Sequence, residues 1–206
     1  MFIGKWNKSV ILTYIGLAFA VFGMYLSFTN DNILLAISCL LVAGICDMFD
    51  GFVARKCKRT DEEKRFGIEL DSLVDTVSFV AMPIVLLFNM GLTSIYHVLI
   101  YILFGIAGVA RLAYFNISLD DENKDVPIKH YTGLPVTFIA LTIPLAQLIV
   151  ELANITNIEI YYAIIMGVTA VLNIAKIKVP KPKGIAYPIA LIMAIITLVL
   201  FLGVLW

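Results

Sequence analysis

Residues 33–55 read ILLAISCLLVAGICDMFDGFVAR. From Ile33 to Cys46 there is no charged residue, and the run is apolar on every side of a helix rather than on one stripe. A helix apolar all round belongs in a large protein core or in lipid. The run of about 22 residues, 33–54, matches the ~20 needed to cross ~30 Å of hydrocarbon. Its far end departs from that pattern, because Asp47 and Asp50 lie three residues apart and so share one helix face.

Six more apolar runs flank this one, at about 9–29, 68–90, 94–117, 133–151, 158–174 and 184–206. Of the 206 residues 61% are hydrophobic and 15% charged, where a soluble domain would have about half and a quarter. Spans in lipid must satisfy their own backbone hydrogen bonds, so they are expected to be helices. The expected fold is an all-α integral membrane protein, a bundle of about seven transmembrane helices in one domain over 1–206. No A-x-A-like site follows the first run, which is therefore expected to be retained. Pro83, Pro135 and Pro144 are candidate kinks. Cys39, Cys46 and Cys57 show no framework spacing and read as small apolar residues. Net charge is zero, so overall charge gives no pointer to nucleic acid, and none is expected as a partner.

Orientation comes from the basic residues. Lys5 and Lys8 precede the first run, and six lie between the second and third, at Arg55, Lys56, Lys58, Arg59, Lys64 and Arg65. Arg111 ends the fourth, Lys124 and Lys129 follow it, and Lys176, Lys178, Lys181 and Lys183 separate the last two. Seven alternating spans put all 15 on one side. The positive-inside rule makes that side cytoplasmic, with the N-terminus inside and the C-terminus outside. Trp6 and Trp206 fit interfacial anchors.

Near the start of the third run Asp71 and Asp75 lie four apart, again on one face. The second and third spans are antiparallel neighbours joined by about ten residues, so all four carboxylates can converge. Each would cost ~2.5–3.5 kcal/mol at a bilayer centre, which restricts them to a wet cavity near the surface. Their repulsion calls for a cation. Carboxylates without histidine or thiolate partners favour a hard divalent ion, Mg²⁺, Mn²⁺ or Ca²⁺. Gly44, Gly51, Ala54 and Gly67 are small residues on these faces and admit a ligand or a second helix. Arg55 can meet phosphate oxygens. Together these describe a diphosphate site; the competing reading is helix-end carboxylates paired with a basic loop.

The pattern Asp47-x-x-Asp50-Gly51-x-x-Ala54-Arg55, an 11-residue spacer, then Gly67-x-x-x-Asp71-x-x-x-Asp75 resembles the signature of the CDP-alcohol phosphotransferases. The spacer is slightly longer than the commonest form. The stretch Glu69 to Phe79, Arg111-Leu-Ala-Tyr-Phe-Asn116 and Thr132-Gly-Leu-Pro135 are similar to the phosphatidylserine synthase branch, except that Tyr114 stands where that branch usually has a second arginine. The resemblance covers about residues 9–150. The family-like core extends over about 9–174, and the last span, 184–206, lies beyond it.

That resemblance implies an enzyme transferring a phosphatidyl-type group from a CDP-linked lipid to an alcohol, with release of CMP. By the resemblance Asp47, Asp50 and Asp71 would hold Mg²⁺ or Mn²⁺, with Asp75 nearby as a further metal ligand or as the base that takes the proton of the attacking hydroxyl. Gly51, Ala54, Arg55 and Gly67 would line the cytidine diphosphate, and helix 1 around Thr13 would reach the cytosine. L-Serine would be the acceptor, with Arg111, Asn116 and Lys129 as its candidate contacts. A homodimer in the cell membrane, with its site facing the cytoplasm, is also implied. Arg111 has a second reading, a side chain snorkelling to the interface. Three alternatives compete: the same fold acting on inositol phosphate, glycerol phosphate or choline; a membrane prenyltransferase; and a cation transporter. The last two fit less well. Prenyltransferase motifs lie far apart in longer chains, and a transport site is expected near mid-membrane. A transferase of the phospholipase D type needs an H-x-K motif, which neither His97 nor His130 begins.

Overall fold

The computed structural model describes residues 3–29, 33–121, 130–180 and 186–204. Within them a helix forms at each apolar run. These are α1 (Ile11–Thr29, entered by a 3-10 turn Lys8–Val10), α2 (Ile33–Lys56), α3 (Asp61–Asp75), α4 (Met82–Asn89), α5 (Ile95–Asp121), α6 (Ile139–Ala153, entered by a 3-10 turn Val136–Phe138), α7 (Ile158–Ile174) and α8 (Ala186–Val204). A π-helical stretch, Thr76–Ala81, joins α3 and α4 into one rod. By length and composition five rods can cross a membrane: Lys8–Thr29, Ile33–Lys56, Asp61–Asn89, Ile95–Ser118 and Val136–Ala153. Ile158–Ile174 and Pro188–Phe201 are shorter apolar helices. The outward side of α5 carries Leu99, Ile102, Leu103 and Ile106, each more than half exposed. Such a surface is a liability in water and the ordinary outer face in lipid. The protein is a multi-pass, all-α membrane protein.

One connection differs from expectation. The link between the second and third spans is four residues, Cys57–Thr60, instead of about ten. Helix α3 starts seven residues before the apolar run because Thr60 and Glu63 form a capping box. The Thr60 hydroxyl accepts the Glu63 N–H at 3.2 Å, and the Glu63 carboxylate accepts the Thr60 N–H at 2.8 Å. Two orphan donors of the first turn are thereby satisfied. Asp61, Glu62 and Glu63 also sit where the helix dipole favours negative charge. Lys5 reaches Glu62 at 2.9 Å and ties the N-terminal stub to this turn.

A second departure is a short β-ladder. β1 (His130–Thr132) pairs antiparallel with β2 (Lys178–Pro180), with Tyr131 opposite Val179. It joins the α5–α6 and α7–α8 connections, so both lie at one end of the bundle. Trp206 falls outside the described residues, whereas Trp6 is 68% exposed and stacks on Tyr14 at 5.2 Å.

Helix α2 is the centre of the bundle, in contact with α1, α4, α6 and α8. Small residues set its closest approaches. A Cβ at Gly16 of α1 would stand 3.3 Å from the Cys46 Cβ, and one at Gly23 would stand 3.1 Å from the Ala36 carbonyl. This antiparallel seam puts Thr13 opposite Asp50. On the other side a Cβ at Gly44 would lie 2.6 Å from the Ala140 Cβ of α6. Pro83 sits at the start of α4, just past the π-helical stretch. Its ring cannot donate to the Phe79 carbonyl and crowds it. The helix answers by widening one turn, in which the Met82 N–H bonds back to Val77.

Gly44→Ala is expected to cost about 1–3 kcal/mol through overpacking against Ala140. Ala140→Gly in the same chain should recover much of that loss. Melting temperature in detergent for the two single variants and the pair checks the coupling.

Candidate active site

Asp47 and Asp50 come from the last turns of α2, and Asp71 and Asp75 from the last turns of α3, where the two rods are held antiparallel by their four-residue link. One carboxylate oxygen from each of Asp47, Asp71 and Asp75 lies within 4.8 Å of the others. Asp50 stands beside them. It accepts a hydrogen bond from the Thr13 hydroxyl of α1 at 3.0 Å and one from the Gly51 N–H. The Asp47 carboxyl abuts Asp75, and Asp50 abuts Asp71. Asp50 and Asp75 are buried; Asp47 and Asp71 are half-buried.

All four face one small cavity, whose remaining lining includes Thr13, Gly16, Ala43 and Ser78. Charges at such separations repel by on the order of 3 kcal/mol per pair at an effective dielectric of ~20. Three pairs would rival the ~5–15 kcal/mol by which a whole domain is stable. A cation between them removes that cost. The donor set fits a hard divalent ion, being entirely carboxylate oxygen. The Ser78 hydroxyl supports the fit: it is 1% exposed, lines the cavity and has no hydrogen-bond partner. Buried polar groups are rarely left so without a ligand or water to meet them.

The other expected residues fall at different depths. Arg55 is exposed, and its Nη1 folds back to 3.7 Å from where a Gly51 Cβ would be. Arg59 does the same over Gly67 at 3.7 Å. Ala54 and Gly67 are half-buried. None of Gly51, Ala54, Arg55 and Gly67 lines the carboxylate cavity, although all four sit on the two helices that carry the aspartates. Arg111 of α5 is 8% exposed, rests on the Phe115 ring at 5.2 Å, and its charge acts on Asp47. It points into the bundle, unlike a side chain snorkelling outward. Tyr114 is 55% exposed, so the departure from the branch pattern lies on the outer face. Asn116 accepts the Ser72 hydroxyl at 3.0 Å, which places it one residue's span from Asp71. Lys129 lies outside the described residues.

Thr13 therefore holds a carboxylate, an arrangement that the spacing of α2 and α3 could not reveal. Ser72 donates to Asn116 of α5, and Ser78 lines the cavity. They sit one residue after Asp71 and three after Asp75, on a helix whose register the four-residue link and the widened turn set.

Residues 6–175 match the family model of the CDP-alcohol phosphatidyltransferases. Among curated proteins, the chain is 38% identical over 111 residues to a CDP-diacylglycerol–serine O-phosphatidyltransferase of Saccharomyces cerevisiae, covering 52% of this chain and 39% of that protein. It is 33% identical over 146 residues to an archaetidylserine synthase of Methanothermobacter thermautotrophicus, covering 70% and 58%. A CDP-diacylglycerol–serine O-phosphatidyltransferase of Helicobacter pylori is 30% identical over 190 residues, covering 84% and 73%. The match thus spans 39% and 58% of the length of the first two relatives. The family match takes in both aspartate pairs, the arginine that follows the first pair and the helices that carry them, and the chain belongs to the CDP-alcohol phosphatidyltransferase family.

Proposed function

We propose that this protein transfers a phosphatidyl-type group from a CDP-linked lipid to the hydroxyl of L-serine and releases CMP. The observation that carries the reading is the convergence of Asp47, Asp50, Asp71 and Asp75 on one cavity, with Arg111 buried in the same bundle and its charge acting on Asp47. The printed names of the relatives support the choice of serine.

The chain's own groups suit the steps. The serine hydroxyl oxygen bonds to the phosphorus that bears the lipid alcohol, and the bond from that phosphorus to CMP breaks. Asp75, the most deeply set of the four, takes the hydroxyl proton. Asp47, Asp50 and Asp71 would hold Mg²⁺ or Mn²⁺, with Asp75 at hand as a further ligand, and the ion when bound would supply the charge that neutralises the diphosphate and stabilises the departing CMP. Thr13 and the Gly51 N–H keep Asp50 turned toward the cavity. Gly51, Ala54 and Gly67 present small surfaces to the cytidine diphosphate, and the Arg55 guanidinium, which lies over Gly51, serves its phosphates. Arg111 pairs with the serine carboxylate, and Asn116 and Lys129 are further candidate contacts of the acceptor.

The same reading has seven crossings in the cell membrane, a cytoplasmic N-terminus and a site open to the cytoplasm, where a nucleotide headgroup and a soluble amino acid both arrive. The 206 residues act as one transmembrane domain, with α8 added to the family core, and as a homodimer.

Purified protein in detergent is expected to release CMP from CDP-diacylglycerol only when both serine and Mg²⁺ or Mn²⁺ are present. Release that instead needs inositol phosphate or glycerol phosphate would keep the family and remove serine. No release with any alcohol would favour a cation-transport role. Asp75→Ala should lower turnover by about 10²–10⁴-fold yet leave CDP-lipid binding largely intact; loss of lipid binding instead would argue against Asp75 as the base. Arg111→Lys should raise KM for serine by about tenfold with little change in KM for the CDP-lipid. An unchanged KM would remove Arg111 from the acceptor site.

A further inference from the structure

Asn173, near the end of α7, is 2% exposed, and neither its side-chain oxygen nor its nitrogen has a hydrogen-bond partner. Leaving both ends of a buried amide empty is unfavourable, and such groups ordinarily meet a ligand or an ordered water. Its position is fixed by two ties between α5 and α7. At one end of the bundle the His97 Nε2 lies 3.1 Å from the Glu159 carbonyl, and the Tyr96 hydroxyl donates to the Glu159 carboxylate at 3.0 Å. From there both helices run in the same direction. Residues 97 to 111 and 159 to 173 are equal steps, a rise of about 21 Å in each at ~1.5 Å per residue. The buried stripes agree: His97, Tyr101, Phe104 and Arg111 on α5, and Tyr162, Met166, Thr169 and Asn173 on α7. Arg111 and Asn173 therefore stand at the same level.

The second tie lies at that level. A Cβ at Gly108 would be 3.6 Å from Val136, and the Leu134 N–H donates to the Leu172 carbonyl at 2.9 Å. Gly133 has φ of +79° and packs so closely that a Cβ there would lie 2.5 Å from the Asn173 carbonyl oxygen. The segment Thr132–Val136 thus bridges the two helices one turn from Arg111.

We infer that Asn173 is a specificity-determining residue of the acceptor site, recognising an amino acid in zwitterionic form together with Arg111. The inference rests on the serine reading above and extends it. Arginine alone accounts for a carboxylate. An α-amino acid also brings an ammonium, which needs an acceptor that does not repel the neighbouring carboxylate. A neutral amide supplies this: its oxygen accepts from the ammonium while its NH₂ donates to the carboxylate. An acceptor without the carboxylate, such as ethanolamine, would satisfy half of the pair.

The test measures CMP release by the full chain from CDP-diacylglycerol with Mg²⁺, varying serine and ethanolamine. Asn173→Leu should raise KM for serine by about tenfold or more and leave KM for the CDP-lipid within about twofold. Asn173→Asp keeps an acceptor for the ammonium and adds charge against the carboxylate, so the serine-to-ethanolamine ratio of kcat/KM should fall by about tenfold or more. Melting temperature without acceptor should be unchanged or raised in Asn173→Leu, since an empty amide contributes nothing to the fold. Wild-type protein inactive with serine would sink the serine reading and this one with it. An active wild type with both variants within about twofold in KM and in ratio would overturn only the role of Asn173, leaving its amide to a trapped water. A melting temperature lowered in both variants without acceptor would assign the amide to the fold and overturn it equally.

Discussion

Carboxylates held within 4.8 Å of one another in a helical bundle repel, and the rest of the architecture can be understood as what holds them there. Two antiparallel helix ends bring the pairs together, and a link of four residues leaves little room to splay. The glycine seam between α1 and α2 lets α1 come close enough for the Thr13 hydroxyl to reach Asp50. On the far side of α2, Gly44 admits α6. Each of these contacts costs side-chain volume that a stability-driven core would have filled with leucine or isoleucine. Along α2, the helix that carries the first pair, that volume is taken up by the close approach of neighbouring helices.

Arg111 belongs to the same balance of charge. It is an intramembrane cation by sequence and a buried one by structure, and its charge acts on Asp47. A buried guanidinium is costly alone and sustainable beside an acidic cluster. Through that arginine α5 is coupled to the carboxylate cluster, and the same helix supplies Asn116 to Ser72 of the aspartate helix.

Hydropathy located the helices because lipid makes length and apolarity sufficient grounds. The aspartate pairs were legible because i, i+3 and i, i+4 spacings have one meaning on a helix. The start of α3 was hidden for the converse reason: Asp61 to Arg65 is charged and reads as loop by hydropathy, although Thr60 and Glu63 already formed the pattern of a capping box. The β1–β2 ladder pairs residues far apart in sequence, which no local signal announces. Thr13 and Asn173 are polar residues in apolar runs. Sequence could mark them as unusual, but only the crossing of helices says which neighbour each one meets. The depth of Arg111 was open for the same reason, since a long side chain near a helix end can turn either way.

The widened turn at Thr76–Ala81 divides one continuous rod into a part that carries Asp71 and Asp75 and a part that packs against α1 and α2. Successive residues of an α-helix are about 100° apart, so the extra residue of a wide turn acts as an angular offset between the two parts. The aspartates and the packing face of α4 are therefore in phase only through that offset. A change of length at this point would be felt as rotation far more than as translation, with the lower half turning its carboxylates away while the upper half stayed seated. Pro83 can then be regarded as the stop that keeps the rod from relaxing into a uniform helix and losing its phase.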